Sequence, residues 1–440
     1  MIGANDLRFH VAPGGSLTGR LRVPGDKSIS HRAIMLGALA EGTTEVTGFL
    51  EGEDSLATLA AFRHMGVRIR GPEAGHVIIE GVGLHGLQAP ATALDLGNSG
   101  TSMRLLSGLL AGQRFATTLV GDASLSKRPM RRVTEPLAAM GAKIDSSPTG
   151  SAPLHIHPTP GLKPLCYEMP VASAQVKSCL LLAGLYADGE TCVTEPGPAR
   201  DHTELMLGAF GYLVRRQGAT VCIEGGGRLT ACRLDVPADI SSAAFFLVGA
   251  SIAPGSDLVL EYVGMNSTRI GVIDILREMG ADIEVLNRHE AGGEPVADLH
   301  VRSAPLKGIR IPEGQVPLAI DEFPALFVAA ACAEGETLLT GAEELRVKES
   351  DRIQVMADGL TVLGVENAVR PDGIHIYGGN LGGGAVDSHG DHRIAMAFAM
   401  AALRAGGPIE VSDCTNVNTS FPGFADIAVA AGLHIREQTA

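Results

Sequence analysis

Six short polar segments stand immediately ahead of six strongly apolar stretches, and they hold much of the chain's reactive side-chain chemistry. They are "GDKSISHR" (25–32), "GNSGTSMR" (97–104), "ASAQVKS" (172–178), "PADISS" (237–242), "IDEFP" (320–324) and "HGDHR" (389–393). Their Ser, Thr, Asp and Asn residues suit helix N-caps, where a side-chain oxygen accepts from a free backbone N–H. Capping does not account for Lys27, Arg32, Arg104, Lys177 and Arg393, because a cation beside a helix N-terminus is unfavourable by itself. An anion resolves the conflict. Free N–H groups and about half a positive charge at each helix start attract it, and the neighbouring Lys or Arg completes the site. Three more clusters add to this chemistry. "LSKRPMRR" (125–132) concentrates Lys127, Arg128, Arg131 and Arg132, with Arg128 beside the stiff Pro129. "EELRVKESDR" (343–352) carries Arg346, Lys348, Glu349, Asp351 and Arg352. Read as a helix, it puts Lys348 and Arg352 on one face with Glu349 beside them. "PARDHTE" (198–204) offers Arg200, with Asp201 capping the helix that follows. Each cluster also has a plainer reading, a solvated basic loop or a salt-bridged surface helix.

Those segments must be held by repeated elements. After each apolar stretch comes a glycine and then an alternating strand rich in Thr and Val, as in "ALAEGTTEVTG" (38–48) and "ACAEGETLLTG" (331–341). A second marker follows each, an amphipathic helix closed by Gly66, Gly141, Gly211, Gly280, Gly364 or Gly432. These glycines are 68 to 84 residues apart, longer than the 20–50 residues usual for solenoids. The unit is helix, strand, helix, strand, strand, six times over. Three such α/β modules per domain give two domains, with a boundary near "LDVPADISS" (234–242). If modules pack about a local threefold axis, three helix starts per domain face one cleft.

Composition narrows the function classes. A formal net charge of −14 over 440 residues argues against nucleic-acid and anionic-membrane binding, and leaves room only for locally basic pockets. Apolar runs such as "FPALFVAAACA" are too short to span a bilayer, and "MIGANDLRFHVAP" lacks the apolar core of a signal peptide. The seven cysteines contain no CxxC pair, so reduced, mostly buried thiols in a cytoplasmic protein are expected, with neither a disulfide framework nor a zinc site. "GVGLHG" (81–86) fits GxGxxG but precedes "LQAPATALD" and no helix, which rejects dinucleotide binding. His155/His157 and His389/His392 lack a third ligand nearby, and no metal is expected.

Taken together, "PGDKSISHR", "GNSGTSMR", "KRP", "SAQVKS", "RVKESDR" and "DHRIAM" resemble the 5-enolpyruvylshikimate-3-phosphate synthase family, in the family's order and over nearly the whole chain. "GDKSISHR", "SAQVKS" and "ARDHTE" look like its bacterial class II form. The resemblance implies a two-domain inside-out α/β barrel of six βαβαββ repeats. The first domain would be 24–238 and the second 1–23 plus 239–440, with the active site in the interdomain cleft. It implies transfer of the enolpyruvyl group of phosphoenolpyruvate to the 5-hydroxyl of shikimate 3-phosphate, by a cytoplasmic monomer with no cofactor. Lys27, Ser28, Arg32, Ser173, Gln175, Arg200, Asp321 and Lys348 would contact shikimate 3-phosphate. Lys27, Asn98, Gly100, Arg128, Gln175, Arg352 and Arg393 would hold phosphoenolpyruvate. Asp321, Glu349, Lys27 and Lys348 would carry the catalysis. Gly100, where insensitive class II forms have Ala, implies inhibition by glyphosate. Departures are Thr419, where many members have Lys, and Ala174, where a second Ser is frequent. The sister family, UDP-N-acetylglucosamine enolpyruvyl transferase, is the alternative; it usually carries a reactive Cys where this chain has "SLSKRPMRR".

Overall fold

The computed structural model describes residues 7–439. The six apolar stretches form six inner helices: Lys27–Leu39, Gly100–Ala111, Ala174–Gly184, Ile240–Ile252, Phe323–Cys332 and His392–Ala401. They are largely apolar, and accordingly buried; all 13 residues of Ile240–Ile252 are buried. Asp26, Ser99, Ser173, Asp239 and Asp391 cap five of them through side-chain oxygens. The fifth helix has no side-chain cap and starts instead with Pro324 in its first turn. The glycines expected to stop these helices mostly lie a few residues downstream; of the six, Gly112 alone occupies the C-cap.

The second marker behaves as expected. Gly66, Gly141, Gly211, Gly280, Gly364 and Gly432 all have φ between 77° and 117°. After each, the next residue's N–H reaches five residues back, as in Val67 to Phe62 and Leu433 to Ala428. This is the Schellman closure, repeated six times, and only glycine enters it without strain.

The chain divides into two compact units. The first comprises 25–236 and 290–294 and contains repeats one to three; the second comprises the described residues up to 24, 237–289 and 295 onward, with repeats four to six. Each unit has its own apolar core. Five of the six sheets share one pattern, in which a strand ahead of an inner helix pairs in parallel with the strand after a helix, followed by antiparallel partners. Strands are also supplied from far along the chain. Arg233–Asp235 completes the first repeat beside Glu41–Thr47, and Thr18–Leu21 completes the fourth beside Asp257–Gly264. Leu7–Val11 lies between Ile409–Ser412 and Ile435–Thr439 in the sixth. The fifth sheet has three strands, with isolated parallel bridges such as Arg310 to Leu338 where a fourth would lie. In the first unit, the second and third inner helices approach so closely that a Cβ on Gly108 would sit 2.0 Å from the Cys179 carbonyl oxygen.

The expectation of reduced, mostly buried thiols holds for part of the set: five cysteines are free and Cys179 and Cys414 among them are buried, but two departures stand out. Cys192 and Cys222 form a disulfide, and Cys166 is an exposed free thiol. Their separation of 30 residues gave no hint, because antiparallel register alone sets Cys192 opposite Cys222. Among the described residues, no helix is long and apolar enough to cross a membrane.

Candidate active site

In the first unit, the starts of the inner helices carry several small polar networks. Lys27 Nζ lies 3.2 Å from Asp54 Oδ2, an acid on the neighbouring helix Glu53–His64 that the motif search passed over. Arg32 is buried, and its Nε, Nη1 and Nη2 donate to Thr203 Oγ1, Ser28 O and Ser178 Oγ at 2.7–2.8 Å. Burial draws its pKa down to about 10 against the raising influence of Glu204, Asp26 and Glu294, and the group stays cationic at neutral pH. Arg104 Nη1 donates to Gln175 Oε1 at 2.6 Å, and Gln175 Nε2 donates to Thr101 Oγ1 at 3.0 Å. Arg128 Nη2 donates to Asn98 Oδ1 at 2.5 Å, while Asn98 Nδ2 donates to Asp122 Oδ2 at 2.6 Å. Gly100 opens the second helix between two guanidinium groups. A Cβ there would lie 3.0 Å from Arg104 Nη1 and 3.2 Å from Arg128 Nη1.

Lys177, counted from sequence among the cations awaiting an anion, is instead a core residue. Its side chain is 0% exposed and its Nζ lies 2.6 Å from both Glu195 Oε1 and Glu204 Oε1. Burial pushes the Glu204 carboxyl above the usual range, and Lys177 opposes that rise. Removing one partner of a fully buried ion pair typically costs about 3–5 kcal/mol. Lys177→Met is therefore expected to lower the stability of the first unit by about 3–5 kcal/mol. Arg68→Ala, which opens the exposed Arg68–Glu80 pair, should cost no more than about 1 kcal/mol. Denaturant unfolding of the two variants measures this, and equal midpoints would refute it. Arg200 belongs to the same unit; Asp201 takes the N-cap position of His202–Ala209 but accepts no cap hydrogen bond there.

In the second unit, the reactive residues gather around Arg352. Its side chain is 1% exposed; Nε donates to Asp391 Oδ2 at 2.8 Å, Nη1 to Asp321 Oδ1 at 3.2 Å and Nη2 to Glu349 Oε2 at 2.5 Å. Burial works against the charge, but Asp391, Glu349 and Asp321 override it and hold the guanidinium well above its ordinary pKa. Lys348 Nζ lies 3.4 Å from Asp321 Oδ1. Arg393 Nη1 donates to the Asp321 carbonyl at 2.9 Å and lies 3.5 Å from Glu322 Oε1. The expected single helix through 343–352 is not formed. Glu343–Val347 is a 3-10 turn, Lys348 leaves it with φ −79° and ψ −147°, and Asp351 caps a new helix, Arg352–Val362. Lys348 and Arg352 therefore meet by converging on Asp321 and not by helical spacing. Asp321 itself lies two residues before the fifth inner helix.

Sequence reasoning missed the residues that support this group. Glu322 is 1% exposed and accepts from Ser241 Oγ, which also accepts from Arg269 Nη2 at 2.6 Å; Arg269 Nη2 lies 3.0 Å from the capping Asp239. Glu322, Asp239 and Ser241 stood in the helix-start segments "IDEFP" and "PADISS" without a pairing to read from them, and Arg269 lay outside every motif. Thr419 lies in the turn Thr415–Thr419 and donates to Asn416 O, so it supplies no cation.

The profile of EPSP synthase (3-phosphoshikimate 1-carboxyvinyltransferase) matches residues 11–427. The chain belongs to the EPSP synthase family. The 3-phosphoshikimate 1-carboxyvinyltransferase of Alkalilimnicola ehrlichii is 72% identical over 97% of this chain and 96% of that protein. That of Methylococcus capsulatus is 69% identical over 98% of each. The structure of EPSP synthase from Acinetobacter baumannii superposes with a TM-score of 0.90 at 59% identity, over 98% of this chain and 100% of the other. An enolpyruvyl transferase from Streptomyces tendae, 17% identical, has the same fold at a TM-score of 0.80, over 99% and 100% of the two chains. The EPSP synthase fold, a two-domain inside-out α/β barrel, is thus the fold of this chain.

Proposed function

We propose that this chain transfers the enolpyruvyl group of phosphoenolpyruvate to the 5-hydroxyl of shikimate 3-phosphate, releasing phosphate, and that the residues gathered in its two units act on that one substrate pair. The observation that carries the reading is the group in the second unit: Asp321, Lys348, Glu349, Arg352 and Arg393 converge through contacts of 2.5–3.5 Å, at the sequence positions of the family motifs. Asp321 takes the 5-hydroxyl proton; Glu349, beside Arg352 and next to Lys348 in the chain, moves the proton at the methylene carbon. Protonating that carbon develops cationic character, the hydroxyl adds, and phosphate leaves. Lys27, Arg128, Arg352 and Arg393, with the Gly100 turn, Asn98 and Gln175, hold phosphoenolpyruvate. Lys27, Ser28, Arg32, Ser173, Gln175, Arg200, Asp321 and Lys348 hold shikimate 3-phosphate. Such a preorganised cationic set both positions the reactants and stabilises developing negative charge. The protein acts in the cytoplasm as a monomer, with no organic cofactor or metal. Phosphate release by purified protein from phosphoenolpyruvate is expected only when shikimate 3-phosphate is present. Release with UDP-N-acetylglucosamine in its place, or with neither acceptor, would overturn the proposal.

Gly100 gives a second expected outcome. The neighbours that a new methyl would meet are the far ends of Arg104 and Arg128, which can yield, so Gly100→Ala should fold normally. The methyl would intrude where the two guanidinium groups meet the anion. Glyphosate, bulkier than phosphoenolpyruvate, should inhibit the unaltered protein. In the variant its inhibition constant should rise by about 10–200-fold, the range one misplaced carbon commands in a tight pocket. Equal inhibition constants would refute this.

A further inference from the structure

Three cysteines lie in one row across the third repeat's sheet. Cys166 on strand Cys166–Glu168 is the parallel partner of Cys192 on Glu190–Thr194, and Cys192 is the antiparallel partner of Cys222 on Thr220–Glu224. Arg215, on Val214–Gln217, is in turn the partner of Cys222. Residues directly opposite in a sheet project to the same side, so the order across that side is Cys166, Cys192, Cys222, Arg215. The other side of the same strands carries Val193, Val221 and Ile223 into the core, which leaves the cysteine row facing a groove also lined by Glu168, Glu190, Thr194, Gln217 and Thr220. Cys192 and Cys222 are joined and only partly buried, while Cys166 is exposed and free. None of these residues belongs to the groups assigned above to substrate binding or catalysis.

We propose that this row is a thiol–disulfide exchange site in which Cys192 is the shared central sulfur, bonded to Cys222 in one state and to Cys166 in the other. The exposed Cys166 loses its proton to solvent and its thiolate attacks Cys192 Sγ. The Cys166–Cys192 bond forms, the Cys192–Cys222 bond breaks, and Cys222 departs as a thiolate that takes a proton from water. No electrons enter or leave. Exchange proceeds faster when the departing thiolate is stabilised; Arg215, the register partner of Cys222, is the cation of this row, and its guanidinium also pairs with Glu190 in the same groove. The strand order also fixes which sulfur is attacked, because Cys222 lies one strand farther from Cys166 than Cys192 does. Sheet neighbours lie about 4.8 Å apart, within the Cα separation a disulfide accepts, so strand spacing permits either pairing. Outside this row, opening the disulfide with a small cellular thiol gives the same central sulfur a mixed-disulfide partner by the same displacement.

The test removes the outer sulfur. The full chain carrying Cys222→Ser is reduced, desalted and given one equivalent of hydrogen peroxide, which takes two electrons and two protons from a thiol pair and leaves water. Free thiols are then alkylated and linked peptides mapped by mass spectrometry. Most of the protein should carry a Cys166–Cys192 link, at unchanged kcat. Recovery of Cys166 and Cys192 both alkylated overturns the proposal. The unaltered chain, treated alike near pH 8.5, about the ordinary thiol pKa, provides an arm free of any folding effect. There both linked peptides are expected, and Cys192–Cys222 as the only one overturns the proposal.

Discussion

Replacing Asp321 by Asn should lower kcat by about 10²–10⁴-fold, the usual contribution of a positioned general base, while changing either Michaelis constant little. Asn keeps the size and one acceptor oxygen facing Lys348 and Arg352, 3.4 and 3.2 Å away from Oδ1, but cannot take the hydroxyl proton. The backbone carbonyl that receives Arg393 is untouched by the change, so the anion clamp should persist. The split between kcat and KM is the informative part. A structural role alone would raise the Michaelis constants together with any loss of rate. Steady-state phosphate release over both substrates measures it; an unchanged kcat removes Asp321 from the proton transfer.

Arg352→Met should be the most damaging single change in the second unit. It leaves Asp391, 0% exposed, without the Arg352 guanidinium, and takes from Asp321 and Glu349 the cation they share. Breaking a buried pair from one side costs about 3–5 kcal/mol. Asp391 also caps the sixth inner helix through the Arg393 N–H, so the helix start that presents Arg393 loosens as well. Activity should fall by at least about 10²-fold, the scale of losing one preorganised charge-stabilising donor. Adding Asp391→Asn to Arg352→Met should restore part of the stability and none of the activity. Thermal unfolding of the four proteins in this cycle gives the coupling. Strict additivity would show that Arg352 and Asp391 do not hold one another, and would dismantle the account of the site.

Part of this was legible because local rules act over a few residues. A Schellman closure needs glycine at one place and an apolar turn before it, so six copies announce six repeats. N-caps need a short oxygen-bearing side chain, so Asp26, Ser99, Ser173, Asp239 and Asp391 marked their helix starts. The cations beside them were visible too, and with them most of the candidate site.

Their partners were not. Arg32 meets Thr203, Arg352 meets Asp391, and Lys177 meets Glu195 and Glu204 across different elements. Whether a cation is free for an anion or already neutralised depends on those contacts, and neither Lys177 nor Arg352 announced these carboxylate partners through short spacings. The row of cysteines was hidden for a related reason, since register across a sheet has no local signature. Side-chain types and short spacings were enough to establish the repeat, the family resemblance and the charges at the helix starts. Only packing decided which of those charges balance one another, because Coulomb and hydrogen-bond energies depend on distance in space, and chain separation beyond one helical turn says nothing about that distance.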